Sequence, residues 1–175
     1  MSTTGIVRLA EIVAALSLAT DLGMGQPWEF ALQACILALR LGDALGYSDE
    51  SLREIYYQSL LRYIGCNVET HLLASVVGDE FAFRRDFVMT DHGHPVAVMK
   101  LMLRHIRQAN ANAAPLAMLT AVTHGLMTMP DIKASIEGHC EVAQRLAVRL
   151  GLGSNVVRAL NQLFERWDGK GAPTG

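Results

Sequence analysis

Two short stretches carry side chains that do chemistry. Asp168-Gly169-Lys170-Gly171, followed by Ala172 and Pro173, joins glycine-freed backbone N–H groups to an ammonium, a set that suits a phosphate. A plain surface turn, with Asp168 bonding the backbone that follows, is the reading its composition favours. Asp91, His92 and His94 form the second stretch. A His-x-His pair chelates a cation only when a third and a fourth ligand arrive from elsewhere, so a solvated polar loop is expected there. The other histidines are scattered. His105, between Arg104 and Arg107, reads as part of an exposed helix face, and His124, ahead of Gly125, as a cap at a helix end. Phe164 and Trp167 read as core anchors rather than a stacking platform.

The elements that must hold these residues are all helical. Leu9, Ile12, Val13 and Leu16 give an amphipathic helix over 6–20, which Asp21 to Gly25 should break. Pro27 suits the first turn of a second helix, which carries Ala31, Ala34, Cys35, Ala38, Leu41 and Leu45 to a stop at Gly46. Ser48, Asp49 and Glu50 open a third, ending near Gly65. Shorter helices are expected over 67–77, 79–88 and 96–106. A helix buried on most sides is expected over 114–127, and Pro130 and Asp131 should begin the segment leading to His139. His139-Cys140-Glu141 then opens a helix that Gly151 ends, with Leu152 folding back. Ser154 caps the last, with Val157, Leu160, Leu163 and Phe164 on its buried side. No period-2 alternation occurs anywhere, so the fold class is all-α, a multi-helix bundle without a sheet.

His139-Cys140-Glu141 and Glu165-Arg166-Trp167-Asp168-Gly169-Lys170-Gly171-Ala172-Pro173 resemble the HD-GYP branch of the HD-domain metal-dependent phosphohydrolases. In that family a His-Pro-Glu turn opens one helix, and the next ends in His-His-Glu-Arg-Trp-Asp-Gly-x-Gly-Tyr-Pro. Leu60-Leu61-Arg62-Tyr63-Ile64-Gly65-Cys66 fits the frame of the family's Leu-Leu-His-Asp-Ile-Gly-Lys. The resemblance covers roughly 28–66 and 139–173 and leaves 67–130 as a helical insertion within a single domain, 1–175. It implies a metal site, yet Leu163 and Phe164 stand where paired ligand histidines would be. Arg62 and Tyr63 fill the His and Asp slots, and Phe30 fills that of an earlier histidine. His139 alone survives among the mapped ligands, beside the retained Glu165, Arg166, Trp167, Asp168, Gly169, Lys170, Gly171 and Pro173. Imidazole and carboxylate ligands are what lower the pKa of metal-bound water, and these replacements supply none.

The expectation is therefore a degenerate HD-GYP-like domain with no catalytic residues, no metal ligands and no cofactor. It would act as a regulatory, interaction or ligand-sensing module of a larger bacterial signalling protein whose chain continues past Gly175. An intact metal centre, with divalent ions and cyclic-dinucleotide phosphodiesterase activity, is the alternative that the resemblance carries. A second alternative is a helix-turn-helix over 143–166, offering Asn155, Arg158, Asn161 and Gln162 to a major groove. The net charge of −2 speaks against nucleic acid and acidic membranes as partners. Self-association or docking to another protein domain fits the Met- and Leu-rich stretch 89–129 better, with core packing accounting for most of it. Apolar residues make up 51% of the chain and charged ones 18%, which excludes disorder. Cys35, Cys66 and Cys140 form no Cys-x-x-Cys pair and read as buried free thiols of a cytoplasmic protein, which neither leader nor membrane span contradicts.

Overall fold

Helix stops written in glycine shape the chain at two corners. At the first, Gly46 adopts φ 74°, its N–H bonds Asp43 O at 2.9 Å, and Tyr47 N–H reaches Gly42 O at 3.0 Å. At the second, Gly151 adopts φ 69°, with Gly151 N–H to Val148 O at 3.0 Å and Leu152 N–H to Ala147 O at 3.0 Å. Both are Schellman closures, which use up the last carbonyls of a helix and fold the next apolar residue back on it. The computed structural model describes residues 7–67, 70–91, 93–169 and 171, with 67 and 129–137 by backbone alone.

Among the described residues the chain is all-α, without a strand. Its helices are α1 (Leu9–Gly23), α2 (Phe30–Ala44), α3 (Asp49–Leu61), α4 (Thr70–Val77), α5 (Glu80–Val88), α6 (Pro95–Ala109), α7 (Pro115–Arg149) and α8 (Ser154–Asn161), with a 3-10 turn at Ile64–Asn67. No helix among the described residues is long and apolar enough to cross a membrane. The chain divides into two units, residues 1–65 with 139–175, and residues 66–138. The stretch 67–130 falls inside the second unit.

In the first unit Val13, Ala31, Cys35, Leu60, Leu61, Ala143, Ala147, Val156 and Leu160 form the core. Each fully buried leucine in it contributes about 1.5–3 kcal/mol of transfer free energy. Gly42 lets α3 approach α2: a β-carbon there would meet Leu52 Cδ2 at 2.9 Å. Polar ties fix the register of the helices. Tyr56 Oη donates to Ala10 O at 2.9 Å, Asn155 Nδ2 to Glu54 Oε1 at 2.9 Å, and Gln144 Nε2 to Asn161 Oδ1 at 2.5 Å. The second unit packs Val76, Val77, Phe83, Leu101, Met102 and Ile106 around the bare flank of Gly125, where a β-carbon would meet Ile106 Cδ1 at 2.9 Å.

Several expectations need correction. α1 continues through Asp21, which is buried and whose Oδ2 accepts from Ala31 N–H at 3.0 Å, holding the start of α2. Leu41 and Leu45 of α2 are exposed, at 61% and 62%, because Gly42 turns the neighbouring face inward. The helix expected over 114–127 exposes Leu116, Leu119, Leu126 and Met127, so only one side of it is covered. Its backbone stays helical through Pro130 to Arg149, so His139 lies inside α7 rather than opening a helix. His124 is likewise mid-helix and exposed. Gly153, not Ser154, is the N-cap of α8, and α8 ends at Asn161, before Leu163 and Phe164.

Candidate functional site

Three of the positions mapped to ligands meet at one end of the first unit. Phe30 opens α2, and Arg62 and Tyr63 follow the last turn of α3. The Phe30 and Tyr63 rings stack with centroids 6.3 Å apart at 30°. The Arg62 guanidinium lies 4.4 Å from the Tyr63 centroid and 6.0 Å from that of Phe30. Its Nε is buried without a hydrogen-bond partner, and Arg62 makes no salt bridge among the described residues. A stranded buried donor costs about 1–3 kcal/mol, and a desolvated cation–π contact returns about 2 kcal/mol. The two nearly cancel, so the ring faces stand in for a carboxylate. Cys35 lies beside this group, and burial pushes its thiol pKa up, with Ser59 and the Arg62 charge pulling the other way.

His139 reaches the same end of the unit by its backbone. A β-carbon on Gly65 would lie on the His139 carbonyl oxygen and 2.8 Å from its Cα, so the glycine is what lets the 3-10 turn after α3 seat on α7. One residue on, Cys140 is buried, and burial raises its thiol pKa while a hydrogen bond from the Leu163 backbone lowers it. That contact brings the segment after α8 to the motif residues of α7. Leu163 packs against the core, whereas Phe164 is 37% exposed.

The loop beyond is stapled to itself. Arg166 Nε and Nη2 donate to Asp168 Oδ1 and Oδ2 at 2.9 and 2.8 Å. Gly169 takes φ 69°, and a β-carbon on Gly171 would meet Arg166 N and lie 2.5 Å from Glu165 Cα. Asp168 therefore pairs with Arg166 rather than serving only the backbone after it. Trp167, expected to anchor a core, is 98% exposed. The tight Arg166–Asp168 turn aims the indole outward, and Phe164 lies past the end of α8, outside its helical register. Lys170, Ala172 and Pro173, which the phosphate-loop idea needs, lie outside the described residues, as does His92 of the Asp91/His94 loop.

An HD-type phosphohydrolase requires divalent ions, and the substituted positions that the resemblance maps to ligands offer them no imidazole or carboxylate. Five mapped slots hold Phe30, Arg62, Tyr63, Leu163 and Phe164, and a guanidinium on two ring faces repels a cation. Among the described residues no three of His, Cys, Asp and Glu come together as ligands. The helix-turn-helix positions are also partly spent, since Asn161 is bonded to Gln144 and Asn155 to Glu54.

One cluster went unread in the sequence. His105 is only 4% exposed; its Nε2 lies 2.9 Å from Asp86 Oδ2 and its ring packs edge-on to Phe83. Arg104 Nη2 reaches the same oxygen at 2.5 Å. The expectation of an exposed His105 fails because α6 rotates it toward α5, where Asp86 satisfies it. The usable signal was Asp86 directly after Arg84 and Arg85, opposite a helix with no acid of its own.

Over 166 residues, 94% of this chain, the sequence is 20% identical to the 3′3′-cGAMP-specific phosphodiesterase 3 of Vibrio cholerae. The similarity is distant. It agrees with the HD-GYP-like resemblance, and its extent takes in most of the 67–130 stretch that the motifs leave out. The chain spans about a third of that relative's length (35%). No family model and no solved structure matches the chain.

Proposed function

We propose that this chain is an HD-GYP-like domain without metal ligands, serving as a regulatory, interaction or ligand-sensing module of a larger cytoplasmic signalling protein of bacteria. The observation that carries the reading is Arg62, held by the faces of Tyr63 and Phe30 where a phosphohydrolase would place a His-Asp pair. Water activation at neutral pH needs a cation with imidazole or carboxylate ligands, and a fixed guanidinium opposes it. The distant similarity to a phosphodiesterase supports the ancestry, and the substituted slots support the loss of chemistry.

A module of this kind acts through contacts. Exposed leucines on α2 and on α7 supply apolar surface for a second copy or a neighbouring domain. The three buried cysteines, Cys35, Cys66 and Cys140, suit a reducing compartment.

The test is hydrolysis of 3′3′-cGAMP by the purified chain, with manganese, iron(II) and magnesium supplied in turn. The reading expects no linear product above the protein-free control with any of them. Turnover that disappears with chelator and returns with one metal would overturn it.

A further inference from the structure

On the page, α6 is a helix of one sign. Lys100, Arg104 and Arg107 occupy positions i, i+4 and i+7 on its exposed face, and the helix contains no Asp or Glu. That spacing sets the three cations along about 10 Å of one ridge. They border a shallow, open groove along α6 and the turn after it, lined also by Leu103, Gln108 and Ala111.

One of the cations is already oriented. Arg104 is 55% exposed at its side chain and gives Nη2 to Asp86 Oδ2 at 2.5 Å. That oxygen is held in turn by the buried His105 at 2.9 Å. Asp86 occupies one edge of the guanidinium, and an arginine has five N–H donors, so the remaining ones are left for the groove. The His105 bond first, then the Arg104 charge, keep the Asp86 carboxyl below the usual carboxylate range, so it stays ionised and the anchor holds.

The geometry points to a ligand site in this groove, for a small soluble molecule carrying two or more adjacent phosphate groups. Three cations against one shared carboxylate leave a local excess of positive charge. Arginine forks match phosphate oxygens two at a time, and lysine adds a point charge. Gln108 adds an amide donor, and Leu103 and Ala111 offer an apolar wall to an organic portion. A basic ridge this short, in a chain of net charge −2, does not make a track for nucleic acid. The site lies within the second unit and stands apart from the reading of Arg62.

The experiment is calorimetric titration of the full chain with sodium tripolyphosphate. Wild type is compared with Lys100→Gln/Arg107→Gln and with the control Arg40→Gln/Arg53→Gln, which removes equal charge from exposed arginines of the first unit. All substitutions are at exposed positions, and far-UV dichroism checks the fold. The site predicts saturable one-to-one binding, weakened by about tenfold or more in the first variant and unchanged in the control. No saturable heat from wild type, or equal weakening in both variants, would overturn it.

Discussion

Replacing Gly65 by alanine tests the contact that joins the 3-10 turn after α3 to α7. The added β-carbon would lie on the His139 carbonyl oxygen and 2.8 Å from His139 Cα and carbonyl carbon. Carbon contacts settle at about 3.5–4.0 Å, so one backbone must withdraw from the other by roughly an ångström. Neither partner is a flexible side-chain end that swings away, which puts the cost at or above the upper end of overpacking, about 3 kcal/mol. For a chain of this size that lowers the melting temperature by roughly 6–12 °C. Gly138, the residue before His139, supplies the internal control, because a β-carbon there meets nothing within 4 Å. Gly138→Ala inside α7 should stabilise by about 0.5–1 kcal/mol through helix propensity. The assay is thermal and urea unfolding of both variants, followed by far-UV circular dichroism. A Gly65→Ala protein that melts with wild type would refute the close approach, and with it the placement of His139 beside Arg62 and Tyr63.

Other outcomes follow from the same coordinates. Glu29, just before α2, adopts φ 62°, a left-handed backbone that costs a side-chain-bearing residue about 1–2 kcal/mol. Glu29→Gly should raise the urea midpoint, and a lowered midpoint would contradict the strain. Asp86 has a depressed pKa, so its contribution to stability is present above the ordinary carboxylate range and is lost as pH falls through the depressed value. Urea midpoints from roughly pH 7 to pH 3 should therefore drop further for wild type than for Asp86→Asn. In Trp28→Phe protein the fully exposed Trp167 should be quenched by iodide nearly as well as free tryptophan, and a protected, blue-shifted emission would place it in contact with something.

How much of this was legible in the residues depends on range. Local signals read true: Gly46 and Gly151 end their helices by left-handed closures, and Ser48 accepts from Ser51 N–H at 3.3 Å. Each is decided by a few neighbouring backbone groups. Errors arose where distant packing decides. Pro130 reads as a break, since an interior proline costs roughly 3 kcal/mol, yet the backbone of α7 stays helical through it. His105 reads as exposed beside two arginines, but the partner that buries it lies 19 residues away on α5. Leu41 and Leu45 share a plausible apolar period with Ala31 and Cys35, and only the approach of α3 at Gly42 settles which side is covered. Of the mapped site, the substitutions were plain in the sequence, while the seating of Arg62 on two rings was not, because cation–π geometry leaves no spacing signature.

The central claim is that a cation belonging to the protein fills the place where the HD-type phosphohydrolases it resembles would hold metal. Elemental analysis of the chain, purified without chelator and exchanged through gel filtration, addresses it directly. The account predicts iron, manganese, zinc and cobalt at far below one per chain; near-stoichiometric metal that is displaced by competing ions would contradict it.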